Sequence, residues 1–208
     1  MKLYDAPPPA PHPRRVRMFL AEKGLDISRE SVSMIDRAHK SPAIRRKNGL
    51  GQLPMRELHD GDVICETLAI CRSLEALNPE PALFGTSPVQ IAKIDMWCRR
   101  AEFQLQAPLS QVWLHTHPMT EFHMREQGMT RFPQLGEEGR RRYFDGLAWV
   151  DAEMGAREFL AGDVFSMADI VALSVLDFGR FVGLEVPPDL PNLSAWHARV
   201  SSRPSAMM

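Results

Sequence analysis

Glu66 and Thr67 stand where one predicted strand ends and a predicted helix begins. The residues up to Cys65 alternate as in a strand, and an apolar stripe with helical spacing starts at Leu68. Backbone N–H groups and the positive end of the helix dipole favour an anion at such a position. This helix start therefore favours an anion, which the Thr67 hydroxyl and N–H could hold. The alternative is that both residues only cap the helix.

His12 lies in a proline-rich segment near the amino terminus. Residues 6–13 hold five prolines in eight positions, which excludes a helix or a central strand and predicts a loop. A neutral imidazole can donate a hydrogen bond, and a charged one would stabilise a nearby anion further. Pro11 and Pro13 would make the placement of this side chain rigid. The alternative is a loop histidine that contacts only solvent.

Other residue types that often carry chemistry give weaker signals. The chain has three cysteines, Cys65, Cys71 and Cys98. They form no CxxC pair and lie in strand or helix patterns, so we expect buried apolar side chains. His115, His117 and His123 come near a metal-ligand spacing, but no matched carboxylate or cysteine accompanies them, and we predict no metal site.

The first third of the chain alternates strand and helix patterns. The predicted elements are a strand at 2–4, a helix from Val16 to Gly24, a strand at Val32 and Met34, and a hairpin at 54–65 followed by a helix that closes at Asn78. This βαβ–ββα order predicts a small mixed sheet flanked by helices. Residues 80–87 are predicted to be a linker, between a first domain at 1–79 and a second at 88–208.

The second domain shows only helical patterns. Ser87 and Pro88 form a helix start, and the stripe that follows must be kinked or ended by Pro108. Its members are Ile91, Ile94, Cys98, Ala101 and Leu105. A later start, Ser166 to Asp169, has the spacing of a capping box, and we read Asp169 as a cap rather than a catalyst.

Composition narrows the class of protein. The 208 residues carry a net charge of −1, which argues against nucleic acid or an anionic membrane surface as the main partner. No run of about 18 apolar residues is present, and no apolar signal region precedes the first prolines. We therefore expect a cytoplasmic protein without a membrane partner.

Three segments together resemble the glutathione S-transferase family. Residues 48–54, Asn-Gly-Leu-Gly-Gln-Leu-Pro, are similar to the family's Asn-Pro-x-Gly-x-(Val/Ile)-Pro, with Gly49 where proline is usual. Residues 60–70 are similar to its hairpin followed by Glu-Ser and a helix, with Thr67 in place of serine. Residues 159–169 are similar to the capping-box segment of its helical domain. The resemblance implies an α+β, thioredoxin-like N-terminal domain followed by an all-α helical-bundle domain.

The resemblance also implies a binding site for glutathione, the co-substrate. Pro54 should follow a cis peptide bond, so that the backbone of Leu53 pairs with the glutathione backbone. Thr67 would hold the γ-glutamyl carboxylate, and Glu66 the ammonium group. Residues 39–42, His-Lys-Ser-Pro, resemble the family's His-x-x-Pro segment, so the glycyl carboxylate would meet His39 or Lys40. Gln52 is a further glutathione contact, through its amide or its backbone.

Members of this family keep the glutathione thiol partly ionised with a Tyr, Ser, Thr or Cys in the loop after the first strand. Here the usual hydroxyl position falls on Ala10, which cannot donate. In the nu-like bacterial pattern, an asparagine position falls on His12, which we predict to be the thiol contact and catalytic residue. Tyr4, at the end of the first strand, is the alternative, although its side chain would more readily face the core.

The resemblance implies a homodimeric transferase that conjugates glutathione to small, apolar electrophiles, with a role in detoxification. Trp113 and His117 are candidates for the electrophile pocket, which the family builds from the first-helix loop and the early helical domain. Aromatic residues there could equally be core. One alternative function is a non-catalytic protein that binds glutathione or another ligand on the same fold. The other is a different glutathione-dependent enzyme, such as an isomerase, a dehalogenase or a peroxidase.

Overall fold

The computed structural model describes all 208 residues, which divide into two compact units. The first contains residues 1–84 and the last six residues of the chain; the second contains residues 85–202. The first unit is built from β1 (Lys2–Asp5), α1 (Pro11–Lys23), β2 (Arg29–Ser31), α2 (Pro42–Lys47), β3 (Met55–Glu57), β4 (Val63–Cys65) and α3 (Thr67–Leu77). This is a thioredoxin-like arrangement of a small mixed sheet with helices.

The four strands lie in the order β2-β1-β3-β4. β1 pairs in parallel with β2 and antiparallel with β3, which forms the hairpin with β4. The predicted strand at Val32 and Met34 is misplaced, because β2 ends at Ser31. All three residues of β2 are exposed, and backbone pairing with β1 sets the position of this edge strand. The apolar alternation at Val32 and Met34 therefore does not mark the strand.

The helix α1 begins earlier than the proline count predicts. The predicted loop extends to Pro13, whereas the helix starts at Pro11. The prediction fails because the first N–H groups of a helix have no acceptor within it, so prolines at these positions remove no hydrogen bond. The helix ends as predicted at Gly24, whose left-handed φ of 62° suits glycine.

A buried lysine joins the end of α1 to the segment that follows α3. Lys23 Nζ donates to the carbonyl oxygens of Asn78 (2.8 Å) and Pro79 (3.2 Å), and lies 2.6 Å from Glu75 Oε2. The Glu75 carboxylate in turn accepts from the backbone N–H groups of residues 83 and 84. These bonds order the chain up to residue 84. The compact units divide after that residue, inside the predicted linker at 80–87.

The second unit is helical throughout. Its helices are α4 (Pro88–Arg100), α5 (Ala107–Thr116), α6 (Glu121–Glu126), α7 (Pro133–Met154), α8 (Met167–Phe181) and α9 (Pro191–Ser201). A π-helical segment, Ala101–Gln106, joins α4 to α5. The wide turn directly precedes Pro108, whose missing N–H and ring disturb the α-helical ladder. The predicted stripe is buried except for Ile91, which is exposed.

Asp169 has the structural role that its spacing predicts. One of its carboxylate oxygens accepts from the backbone N–H of Ser166 at 2.9 Å, and the other from the indole Nε1 of Trp196 at 2.8 Å and the N–H of Leu160 at 3.0 Å. Burial raises the pKa of this carboxyl, and these donors oppose that effect. Asp169 thereby ties α8 to α9 and to the turn before it.

None of the helices combines the length and the apolar character that a membrane crossing needs.

Candidate functional site

His12 and Thr67 are 55 residues apart in the sequence and adjacent in the structure. His12 lies in the first turn of α1, and Thr67 is the first residue of α3. The imidazole Nδ1 lies 3.3 Å from the Thr67 hydroxyl oxygen. Since α1 packs against α3, the start of each helix is fixed relative to the other. Two residues singled out separately from the sequence therefore form one polar pair.

The surroundings of His12 keep its imidazole neutral. Burial, with a smaller effect from the guanidinium of Arg15, lowers the pKa of His12 to about 3. A neutral imidazole has one donor and one acceptor nitrogen. Pro11 and Pro13 carry no amide proton, so His12 has the one N–H among the first three residues of α1. It can therefore offer donors from both backbone and side chain, but no positive charge.

Tyr4 is not available as an alternative thiol contact. Its hydroxyl donates to Glu57 Oε2 at 2.6 Å, and the Lys47 ammonium lies 2.6 Å from the other oxygen of that carboxylate. The ring belongs to an apolar cluster with Ile44 and Met55. The side chain is therefore part of the core and of a polar network beside α2.

Glu66 has an unusual backbone at the start of α3. Its φ of 65° and ψ of 126° are rarely adopted by a residue with a side chain. Its side chain is exposed and makes no capping bond to the helix. Thr67 is buried beside it. The first N–H groups of α3 thus have no side-chain cap, as a site for a carboxylate requires.

The residues before β3 present backbone rather than side-chain groups. The Leu53–Pro54 peptide bond is cis. The Leu53 side chain packs against the apolar cluster around Tyr4, and its backbone makes no hydrogen bond to another backbone group. Gln52 has an exposed side chain, and its carbonyl oxygen accepts from the Asn48 amide at 2.9 Å. An extended ligand could add to this segment as a strand adds to a sheet edge.

His39 and Lys40 lie in a short 3-10 helix, Ala38–Lys40. His39 is 5% exposed and so is not a solvent-facing loop residue. Lys40 Nζ donates to the carbonyl oxygen of Leu50 at 2.9 Å. Partial burial and the nearby guanidinium groups of Arg45 and Arg37 lower the pKa of Lys40. Those two arginines, which the sequence reading omitted, give this corner a positive potential suited to a carboxylate.

In the helical unit, Trp113 and His117 belong to one aromatic cluster. Their ring centroids are 4.5 Å apart, and Trp113 also lies 5.2 Å from Phe178 and 6.0 Å from Phe181. Trp113 and His117 are half-buried, and Phe181 is exposed. The sequence reading missed both phenylalanines. Their i, i+3 spacing on α8 was the available signal, since it places them on one face of that helix.

His117 is held as an acceptor. Its Nδ1 receives the backbone N–H of Met119 at 3.3 Å, and its pKa is lowered by burial and by the Arg131 guanidinium. The neutral ring therefore carries its proton on Nε2. No group of three or more His, Cys, Asp and Glu side chains converges as metal ligands would.

Comparison with known proteins shows which family the chain resembles. Residues 10–77 match the family model of the glutathione S-transferase N-terminal domain, and residues 123–204 match that of the C-terminal domain. The chain is 35% identical over 207 residues to glutathione S-transferase 2 of Saccharomyces cerevisiae, covering 99% of this chain and 87% of the yeast protein.

Solved structures give the same result. The crystal structure of Gtt2 from Saccharomyces cerevisiae matches with a TM-score of 0.92 and 33% identity, covering 100% of this chain and 99% of the other. That of a glutathione S-transferase domain-containing protein from Marinobacter aquaeolei matches with a TM-score of 0.91 and 33% identity, covering 99% of each chain.

Proposed function

The chain belongs to the glutathione S-transferase family, and we propose that it conjugates the thiol of glutathione to small, apolar electrophiles. The observation that carries the proposal is the contact between His12 and Thr67. It brings the one donor-bearing side chain of the proline-rich segment to the helix start that is suited to the γ-glutamyl carboxylate. The cytoplasmic location and the role in detoxification stay predictions from the sequence.

We assign the γ-glutamyl end of glutathione to the start of α3. Its carboxylate would accept from the Thr67 N–H and hydroxyl at the positive end of the helix dipole. The exposed Glu66 carboxylate would pair with the ammonium group. Its strained backbone supports this assignment, because such conformations concentrate at binding and catalytic sites.

We assign the peptide backbone of glutathione to Leu53, before the cis bond to Pro54, and its glycyl carboxylate to the basic corner. Lys40 is the better candidate there, since its ammonium is partly exposed whereas His39 is buried. The amide of Gln52 is exposed and close in sequence to the Leu53 contact. Arg37 and Arg45 would add long-range attraction to an anion.

Activation of the thiol would rest on hydrogen bonds rather than on a positive side chain. A free thiol has a pKa of about 8.5, and lowering it by about 2 units needs about 2.7 kcal/mol of preferential binding of the thiolate. The His12 N–H, the neutral imidazole and the dipole of α1 can all contribute in that direction. Because the imidazole is neutral, it would act as a donor and not as a counter-ion.

The electrophile would bind to the aromatic cluster of the helical unit. Trp113, Phe178 and Phe181 offer ring faces and edges, and the His117 Nε2–H adds one polar donor. Such a mixture of apolar walls and a single donor suits a flat, weakly polar electrophile.

Members of this family are commonly dimeric, and the helical unit offers a surface for a second copy. Val89, Met96 and Phe103 recur at seven-residue spacing, so they share one side of the helix from α4 into the π-helical segment. All three are exposed. We propose that this row lies in a homodimer interface.

The deciding experiment combines titration with glutathione and conjugation to an aromatic halide, for the native chain and for His12→Ala. The proposal expects saturable binding, a bound-thiolate absorbance near neutral pH and conjugate formation, with both thiolate and rate reduced in His12→Ala. Binding without conjugate would favour a glutathione-binding protein or another glutathione-dependent enzyme, such as an isomerase, dehalogenase or peroxidase. Absence of binding would overturn the proposal.

A further inference from the structure

The last six residues, Arg203–Met208, lie in the first compact unit and not in the helical one. We call them the C-terminal segment; residues Pro204–Met207 form a 3-10 turn. The Arg203 guanidinium binds both oxygens of Glu22, with Nε–Oε1 at 2.8 Å and a terminal nitrogen to Oε2 at 2.7 Å. The buried hydroxyl of Ser205 donates to the same carboxylate.

A second attachment lies at the other end of α1. The guanidinium of Arg14 donates to the carbonyl oxygen of Ala206 at 2.8 Å. Glu22 is in the last turn of α1 and Arg14 in its first, two residues from His12. At a rise of 1.5 Å per residue the two attachments span about 12 Å of helix. The C-terminal segment therefore contacts α1 along most of its length.

The first turn of α1 depends on such outside contacts. Ala10 provides no side-chain cap. Pro11 and Pro13 have no N–H, so neither can donate a hydrogen bond from this turn to another part of the chain. Arg17, one turn further along α1, donates to Asp5 Oδ1 and to the Ala6 carbonyl oxygen, both at 2.8 Å. The bond from Arg14 to Ala206 is the corresponding contact to the C-terminal segment.

We propose that the C-terminal segment is a positioning element for the thiol site: by holding Arg14 and Glu22 it fixes the first turn of α1 and so the imidazole of His12 beside Thr67. The inference rests on the proposed role of His12. Arg203 and Arg14 touch neither substrate nor reacting atoms, and act through the helix. A guanidinium that binds both oxygens of one carboxylate fixes its partner's orientation, which a lysine ammonium cannot do.

The test compares the full chain with Arg203→Met, Arg14→Met and a matched control, Arg199→Met. Arg199 also binds a carbonyl oxygen, that of Glu158 at 2.7 Å, but lies in the helical unit. Amide hydrogen exchange of residues 14–16 should rise about tenfold or more in the two test variants. Glutathione affinity should fall about threefold to tenfold and the pKa of the bound thiol should rise, because a small misplacement of His12 weakens thiolate binding. Arg203→Lys keeps the charge but not the two-point contact, so its amide exchange, glutathione affinity and bound-thiol pKa should lie between those of the native chain and Arg203→Met.

Two results in the test variants would overturn the inference while the proposed function stands. One is unchanged exchange in residues 14–16 of both test variants. The other is faster exchange with an unchanged pKa of the bound thiol, which would make the segment a stabilising contact only. If the native chain binds no glutathione, the proposed function fails and the positioning role fails with it. If both variants bind glutathione with the same bound-thiol pKa as the native chain, only the positioning role is overturned.

Discussion

Nδ1 of His12 and the hydroxyl oxygen of Thr67 are 3.3 Å apart, so the protonation pattern of one constrains the other. A hydroxyl has one proton to donate, and a neutral imidazole has one donor and one acceptor nitrogen. If Thr67 donates to Nδ1, the imidazole proton lies on Nε2. If a ligand carboxylate accepts the hydrogen bond from the Thr67 hydroxyl, Nδ1 loses that donor, and the imidazole keeps its one proton for a bond to the thiolate. The pair thereby links recognition of a carboxylate to the state of the imidazole.

Thr67→Val tests this link, because valine keeps the shape of the side chain and removes the hydroxyl. We expect glutathione affinity to fall about tenfold or more, since a hydrogen bond to a charged group contributes about 1.5–3 kcal/mol. The pKa of the bound thiol should also rise, as His12 loses its partner. Calorimetric titration and thiolate absorbance measure the two effects. Thr67→Ser should behave as the native chain, and a fully active Thr67→Val would exclude the hydroxyl from the site.

His12 should make the stability of the fold depend on pH. Its pKa is about 3 in the folded chain, below the ordinary value of 6.5, so the unfolded chain binds the proton more readily. The contribution of His12 to the free energy of unfolding is therefore complete above about pH 6.5. It is lost as the pH falls toward 3, at about 1.4 kcal/mol per pH unit. In denaturant titrations between pH 7 and 4, the free energy of unfolding should fall less steeply for His12→Asn than for the native chain. Equal slopes for the two proteins would contradict the lowered pKa of the His12 imidazole.

Glu66→Gly should separate capping from binding. Glycine adopts the positive φ of this position without strain, and we expect the fold to gain about 1 kcal/mol. Glutathione affinity should nevertheless fall, because the partner of the ammonium group is lost. Thermal melts and glutathione titration give the two numbers, with Glu66→Gln as the control that keeps the side-chain shape. A variant more stable and equally tight in binding would show that Glu66 only starts the helix.

The sequence reading succeeded where local chemistry decides the outcome, and failed where distant contacts decide it. The Asp-Gly hairpin, Gly24 and the box around Asp169 are local signals, and each element lies where it was predicted. β2 was misplaced because its position is set by pairing with β1 rather than by its own pattern. The contact between Arg203 and Glu22 was not predictable either, because no local signal links residues that are 181 positions apart.

The same distinction applies to the candidate site. Glu66 and Thr67 were predicted from one motif, and Lys40 from the His-x-x-Pro segment. Arg37 and Arg45 were missed, because nothing in their spacing shows that they surround Lys40. The burial of His39 was not visible from the sequence either. Its carbonyl oxygen would lie 2.8 Å from a Cβ at position 51, so that close approach depends on Gly51.

Phe103→Glu tests the dimer surface. Phe103 is 60% exposed, so the change should leave the fold of one chain intact. If Phe103 lies in a dimer interface, the new carboxylate would be buried there without a partner. The free-energy cost would shift the equilibrium toward the monomer. Sedimentation velocity at several concentrations measures the state. Phe122→Glu, at an exposed position on α6, is the control and should not change it. A Phe103→Glu chain as dimeric as the native one would remove this row from the interface.

Lys23→Met tests whether the buried ammonium organises the end of the first unit. The side chain of Lys23 is 0% exposed, and its loss would remove the cation paired with Glu75 and a donor to the carbonyl oxygens of residues 78 and 79. Removing one partner of a buried pair costs about 3–5 kcal/mol, whereas an exposed pair contributes about 0–1 kcal/mol. Lys2→Met is the matched control, because Lys2 and Glu30 are 2.9 Å apart and both exposed. Denaturant unfolding should therefore show a large loss for Lys23→Met and little for Lys2→Met. Similar losses of unfolding free energy in the two variants would mean that burial does not increase the contribution of the Lys23–Glu75 pair to stability.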